Sequence, residues 1–294
     1  MKTVRILCSG TAMAAALAAA PALAQSAASA GAQSAATSSE DIVVTAQKRE
    51  QLLIDVPQSI SVVSGAALEQ QHANNFSDYL KLVPGLQLSQ TTPGQGRLLL
   101  RGINTGGVAS TVSVYVDETP FGSSSGLVNG AILAGDFDTF DVSRVEVLRG
   151  PQGTLYGASS LGGVLKFVTN APQTDRLEVR GRASVEAVDG GDASYAGNAV
   201  VNIPLGSTLA FRASGTYRKD GGFIDSIGTA GSDVEKNIND SRVYGGRASL
   251  LFAPSDALSV RLTAILQNIK ADAPSTVEAD PFSLKPLYGR LSQS

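Results

Sequence analysis

Residues 177–187 place Leu177, Val179, Gly181, Ala183, Val185 and Ala187 on one side of an extended chain, and Glu178, Arg180, Arg182, Ser184 and Glu186 on the other. Successive side chains of a strand point to opposite faces, so strict alternation predicts a sheet with one apolar and one polar side. The pattern recurs more weakly over residues 193–203. It returns at 209–217, where Leu209, Phe211, Ala213, Gly215 and Tyr217 oppose Arg212, Ser214, Thr216 and Arg218. Over 241–252, Tyr244, Gly246, Ala248, Leu250 and Phe252 face away from Gly245, Arg247 and Ser249. Over 258–266, Leu258, Val260, Leu262, Ala264 and Leu266 oppose Ser259, Arg261, Thr263 and Gln267.

The connections alternate in kind. Residues 204–208 and 253–257 read as tight turns and 219–240 as a long polar loop, while 189–192 is short for an outer loop. Short turns at one end and longer loops at the other mark an outer-membrane barrel. A soluble sandwich or lipocalin-like barrel turns its apolar face inward and calls for bulkier core residues. Here small Ala and Gly mix with Leu and Val, and Tyr217 and Tyr244 stand near strand ends beside the long loop. A lipid face with an aromatic girdle fits better.

The N-terminus reads as a secretory leader. Lys2 and Arg5 precede an apolar run over residues 6–20, and Ala22-Leu23-Ala24 is a small-x-small cleavage site. The run is too short for a spanning helix. Cys8, the only cysteine, lies inside the leader, and Ser9-Gly10-Thr11 after it do not fit a lipoprotein. The mature chain is expected to carry no disulfide and no Cys-based metal site. The single histidine, His72, sits in a polar stretch and cannot build a His-rich site. A net charge of -3 without a basic cluster argues against nucleic acid as a partner.

Residues 25–40 are rich in Ala, Ser and Gln and are expected to form a disordered tether. Asp41, Ile42, Val43, Val44, Thr45 and Ala46 follow. A β-prone segment on a loose tether can add itself as a strand to another protein's sheet edge. The same residues also suit a fixed first strand of the next domain. Residues 47–50 read as a polar linker.

Residues 51–172 read as one α/β domain. A strand covers 59–63, and Ser64 caps a helix through Ala66, Ala67 and Leu68. Asn75 caps a second helix over 76–82, with Phe76, Tyr79, Leu80 and Val83 on its apolar side; Pro84-Gly85 ends it. Further strands are predicted at 97–101, 112–116, 145–148 and 164–169. The Gly-rich loops hold no Gly-Lys-Ser/Thr and no dinucleotide fingerprint, so they read as backbone turns.

Residues 141–169, DVSRVEVLRGPQGTLYGASSLGGVLKFVT, combine a strand ending in Leu-Arg-Gly-Pro, a Tyr-Gly, a Gly-Gly pair and a closing strand. Leu100-Arg101-Gly102-Ile103, Val114-Tyr115-Val116-Asp117, DVPQSISVVS (55–64), LVPGL (82–86) and DIVVTAQKRE (41–50) precede it. In this order the chain resembles the front portion of TonB-dependent outer-membrane receptors, strongly over about residues 41–170 and loosely beyond.

The resemblance implies an α+β plug domain (51–172) followed by antiparallel transmembrane β-barrel strands (173–294), an incomplete barrel. It implies that residues 41–46 are the TonB box, a handle for the inner-membrane energy-coupling protein TonB. It further implies import of a scarce bulky nutrient, siderophore-iron first among the candidates, through the outer membrane. Gln90, Thr91, Thr92, Gln95, Asn104, Thr105, Phe121 and Ser123 are the candidate substrate residues, on apical plug loops. No metal site, cofactor or catalytic residue is implied, and the full-length protein is expected to be a monomer in outer-membrane lipid. The tether reads as too short for the extra periplasmic signalling domain that some family members carry before the handle, so transport without transcriptional signalling is expected.

One departure stands out: Glu118 follows Asp117 where the family has glycine, which predicts a different turn. Arg144, Glu146, Arg149 and Lys166 are candidates for plug–barrel ion pairs or for ordinary solvated charges. A passive porin or adhesin barrel would need neither handle nor plug. A hydrolase lacks support, since a single histidine leaves little for a catalytic triad. Such a plugged barrel has about 22 strands, so the expectation is a truncated product or fragment with exposed, aggregation-prone edges.

Overall fold

A computed structural model describes residues 42–71, 76–103, 110–121, 138–188, 190–228, 234–287 and 292–293. The leader and tether lie outside them. Strand β1 (Val43–Val44) pairs antiparallel with β2 (Gln51–Leu52), and a 3-10 turn covers Leu53–Asp55. Then come β3 (Ile60–Ser64), α1 (Gly65–Gln70) and α2 (Phe76–Leu80). The Ser64 hydroxyl accepts from the Ala67 N–H at 3.2 Å, the cap its position predicts. The second helix stops at Leu80, short of the expected Leu82. The N–H groups of Leu82 and Val83 turn back to the Tyr79 and Leu80 carbonyls, a tightened exit before Pro84.

Next in the chain are β4 (Leu86–Thr92), β5 (Gln95–Leu100), β6 (Val112–Val116), β7 (Thr119–Pro120), β8 (Val142–Arg149), α3 (Gly153–Tyr156) and β9 (Gly163–Thr169). The central sheet runs β3-β8-β9-β6-β7, with β6 and β9 parallel. Leu68, Tyr79, Val83, Leu98, Leu100, Val145, Leu165 and Phe167 form its main core. The Tyr79 and Phe167 rings meet edge to face at 5.9 Å.

Residues 90–96, expected as a loop, are the tip of a hairpin. β4 and β5 pair from Leu86↔Leu100 to Thr92↔Gln95, reversing at Pro93-Gly94. Leu86, Leu98 and Leu100 face the core. The run of Gln, Ser and Thr on the other side hid the strand from a hydropathy reading.

The Gly-Gly pair has a steric origin at its second member. Gly163 opens β9 with φ 151°, and a Cβ there would overlap the Leu148 carbonyl oxygen and the Leu100 side chain. Gly163→Ala is expected to cost about 3 kcal/mol or more, from strain and overpacking together. The readout is loss of the protease-resistant plug. Gly153→Ala, with open space around its Cβ, should leave that resistance unchanged.

Five strands follow in one antiparallel sheet: β10 (Glu178–Ala187), β11 (Ala193–Pro204), β12 (Leu209–Asp220), then β14 (Ser241–Ser255) and β15 (Leu258–Ala271). Two short strands, β13 (Asp225–Ser226) and β16 (Ser292–Gln293), pair in parallel outside this sheet. Each long strand lies where the alternation places it. β12, β14 and β15 run on past the predicted ends by several residues.

The apolar faces point outward. Val179, Val185 and Leu266 are 73%, 79% and 80% exposed, while Asn202, Arg212, Arg247 and Ser249 are buried. A lipocalin-like fold has the opposite polarity. The outward band from Leu209 to Tyr217 measures about 27 Å along the strand, which at the usual barrel tilt is about 20 Å of height, within reach of the roughly 25 Å apolar belt of an outer-membrane barrel. Tyr195 stacks on Tyr217 at 6.0 Å, and Tyr217 pairs with Tyr244, at the long-loop end. The sheet is open, with β10 and β15 at its edges.

Candidate functional site: a clamped plug and a docked handle

The polar face of the sheet grips the plug through Asp141, whose side chain is wholly buried. Arg212 and Arg247 both pair with its carboxylate, and Arg180 approaches at 3.4 Å. Asn170 donates to Asp141 Oδ1 at 3.0 Å, and Arg247 also reaches the Asp141 carbonyl at 3.2 Å. Arg212 holds Glu178 at 2.9 Å, and Arg180 holds Glu69 at 2.8 Å. Arg180 and Arg182 lie 5.6 and 5.3 Å from the Phe140 ring centroid, within cation–π range. Arg261 closes a further link to Asp117 at 2.6 Å. Buried Asn202 bonds Gln173 and Arg176, fixing the connection between plug and barrel.

This corrects one expectation. Arg144, Glu146, Arg149 and Lys166 make no ion pair to the barrel among the described contacts. Arg144 pairs with Glu146, Lys166 with Glu118, and Arg149 donates to the Pro84 carbonyl, all inside the plug. Glu146 and Lys166 stand directly opposite each other on the β8–β9 ladder, and Arg144 and Glu118 reach them from within the plug. The bridging acid is Asp141, just before β8. Its signal in the sequence was on the other partner: arginines recur on the polar faces at 180, 212, 247 and 261, and desolvated arginines need an acid.

Barrel register gives the plug a polarity. Gly94, at the β4–β5 tip, lies so close to Ile269 that an added Cβ would sit 2.6 Å from its Cγ2. The Thr91 carbonyl accepts from Ser275 N at 2.6 Å. Ile269 is near the end of β15, on the long-loop side. Arg261, which holds Asp117, is near the start of β15, beside the tight turn. Hairpin tip and Asp117 turn thus face opposite ends of the barrel wall.

At the tight-turn end sits the expected handle. Asp41 lies outside the described residues; Ile42 to Ala46 are docked on the plug. Val44 and Ala46 are fully buried, against Val56, Tyr115, Leu148, Tyr156 and Val164. The Thr45 N–H donates to Glu146 Oε1 at 3.0 Å, and its hydroxyl reaches the same oxygen at 3.3 Å. Lys166 Nζ donates to the Thr45 carbonyl at 3.2 Å, and the Tyr156 hydroxyl to the Ala46 carbonyl at 2.8 Å. Burial, with Glu118 and Glu146 nearby, pushes the Tyr156 phenol up, so it stays a proton donor. Lys48 lies 5.7 and 5.4 Å from the Tyr115 and Tyr156 rings.

The unusual turn takes its conformation from Asp117, at φ 52°. Glu118 points back onto Lys166, and Asp117 accepts from the Thr169 N–H at 2.9 Å and its hydroxyl at 2.8 Å.

Of the candidate substrate residues, Gln90 and Thr91 are exposed and Thr92 half-buried, with Gln95 opposite Thr92 in the hairpin. Phe121 packs on the main plug core, its N–H donating to the Val114 carbonyl at 2.8 Å. Asn104, Thr105 and Ser123 lie outside the described residues. No cluster of three or more potential metal ligands occurs among the described residues.

A plug domain clamped to an inside-out antiparallel sheet is the architecture of plugged outer-membrane receptors. Residues 53–164 match the family model described as TonB-dependent Receptor Plug Domain. The vitamin B12 transporter BtuB of Vibrio vulnificus is 31% identical over 219 residues, 74% of this chain and 32% of that protein. The pesticin receptor of Yersinia pestis is 30% identical over 226 residues, 73% of this chain and 30% of that protein. The solved ferric yersiniabactin uptake receptor FyuA of Yersinia pestis shares the fold with TM-score 0.58 at 24% identity, over 73% of this chain and 32% of that one. The chain belongs to the TonB-dependent outer-membrane receptors, of which it carries the plug and part of the barrel. It spans about a third of the length of these relatives.

Proposed function

We propose that the receptor carrying this chain imports a bulky metal chelate, siderophore-iron foremost, across the outer membrane, powered by TonB pulling on residues 41–46. The observation that carries the reading is the opposed placement of two plug features. Gln90 and Thr91 stand exposed toward the long-loop end, and the Ile42–Ala46 segment sits at the tight-turn end. Substrate is read at the outer mouth by the hairpin tip with Thr92, Gln95, Asn104, Thr105 and Ser123; Phe121 supports this surface from the core. TonB adds a strand to the handle, and the plug yields. Relatives named for vitamin B12, hemin and ferric enterobactin support a chelate-sized cargo. The working unit is a monomer in outer-membrane lipid.

The test is uptake of a radiolabelled ferric chelate by cells carrying the receptor, with and without TonB. Accumulation is expected only with TonB. Equal uptake in both strains, or sugar-driven swelling of liposomes containing the purified receptor, would put a passive pore in its place.

A further inference from the structure

The barrel wall carries two sets of cations, and only one is matched in charge. Arg180, Arg212, Arg247 and Arg261 point inward and find acids on the plug. The outward face carries a second set at its long-loop end. Lys219 on β12 pairs directly with Arg242 on β14, and Arg242 with Lys270 on β15. Directly paired residues share a face. Each of the three lies two residues beyond the row Tyr217, Tyr244 and Asn268, so it looks out as that row does. Tyr195 on β11 closes the cation row beside Lys219. Like charges set directly opposite one another repel, so three in succession call for an anion to join them.

The neighbouring acids do not supply it. Asp240 Oδ2 stands 3.9 Å from Lys219 Nζ and 3.8 Å from Arg242 Nη2, beyond hydrogen-bond reach, and Lys270 makes no ion pair among the described residues. Asp272, whose N–H donates to the Asp240 carbonyl at 3.1 Å, also hydrogen-bonds the Asp240 carboxyl. That bond and burial push the carboxyl up, which weakens it as a counter-ion. Arg242 and Lys270 are exposed and Lys219 half-buried, so an outside group can reach all three. Two residues of strand measure about 6.6 Å. The cations therefore stand just outside the tyrosine girdle, at the depth of lipid headgroups.

On the membrane side of the tyrosines the same face is hollow. A concavity of about 640 Å³ opens there, lined from the outward face by Tyr244, Gly246, Ala248, Ala264, Leu266 and Asn268, with no plug residue in its lining. Gly215 and Ala213 continue it across β12, paired with Gly246 and Ala248. Cations above an apolar trough fit an anionic head joined to a hydrocarbon chain. We propose that Lys219, Arg242 and Lys270 bind the phosphate head of an outer-leaflet lipid, one of whose acyl chains lies in the Gly246–Ala248–Ala264 trough. The head is held by charge-assisted hydrogen bonds, and the chain, by its apolar contact, keeps the lipid at one place on the wall. The site rests on the outward side of the sheet alone and is independent of what the receptor imports.

The test is native mass spectrometry of the receptor purified in detergent, titrated with diphosphoryl lipid A, with the same lipid dephosphorylated, and with inorganic phosphate. The diphosphoryl lipid is expected to bind at least about tenfold tighter than either of the others. Lys219→Gln, Arg242→Gln and Lys270→Gln combined should weaken it roughly a hundredfold, about fivefold for each cation beside an anionic lipid. Lys285→Gln, exposed and off the row, should change nothing. Ala248→Phe fills the trough and leaves the cations in place; it should weaken the lipid at least about fivefold, and it carries the test if the triple variant fails to fold. Equal affinity for the dephosphorylated lipid, or unchanged binding in the triple variant, overturns the proposal. Inorganic phosphate binding as tightly as the lipid, or Ala248→Phe matching the parent, reduces the row to a free-anion patch and overturns the lipid.

Discussion

Asp141→Asn is expected to loosen the plug from the barrel wall and to destabilise the assembly by about 3 kcal/mol or more. The substitution keeps the side chain's shape and its tolerance of the left-handed backbone, φ 67° here. It removes only the charge. Arg212 and Arg247 are then left buried, Arg247 without a carboxylate and Arg212 with Glu178 alone. Breaking one side of a buried ion cluster is far more damaging than replacing the whole cluster with apolar groups. Adding Arg212→Met and Arg247→Met to Asp141→Asn should therefore recover a large part of the loss. Thermal unfolding followed by proteolysis of the plug reads this out as a fall of roughly 10 °C for the single variant. A fall under about 2 °C, or a triple variant worse than the single one, would show that the clamp is incidental to plug retention.

Val43→Pro is expected to abolish TonB-driven uptake while substrate binding at the outer mouth persists. Proline removes a backbone donor from the ladder and leaves its acceptor unpaired, a penalty of about 1–3 kcal/mol, which corresponds to a roughly 5- to 150-fold loss of TonB affinity. Val43 is 41% exposed, so the lost side chain contributes little to the plug core, and Val43→Ala serves as the control. Chelate binding to whole cells at 0 °C should match the parent, with accumulation at growth temperature absent. Normal accumulation in the proline variant would remove residues 41–46 from the mechanism.

Much of the barrel wall was legible in the chain itself. Alternation is a property of residues two apart, fixed by strand geometry. It gave both the position of each strand and, through its mixture of small and aliphatic residues, the side that faces lipid. Tyr217 and Tyr244 marked the long-loop end by the same local logic. Ser64 was legible as a cap because its partner, Ala67, is three residues away. The β4–β5 hairpin was only half legible, since Gln87, Ser89, Gln90 and Thr91 expose a polar face on an element that buries Leu86, Leu98 and Leu100.

The sequence alone determined that residues 177–187, 193–203, 209–217, 241–252 and 258–266 form strands with one face for lipid and one for protein, and that a β-prone segment precedes a glycine-punctuated plug. Only the tertiary structure decided which charges meet. Thr45 and Glu146 are 101 residues apart, and Asp141 and Arg247 are 106 apart. Such pairs leave no periodic trace. They are selected by desolvation: once the sheets stack, a buried carboxylate must find the arginine or backbone donor that the fold carries to it. That is why Arg144, Glu146, Arg149 and Lys166 looked available to the barrel in one dimension and proved to serve the plug in three.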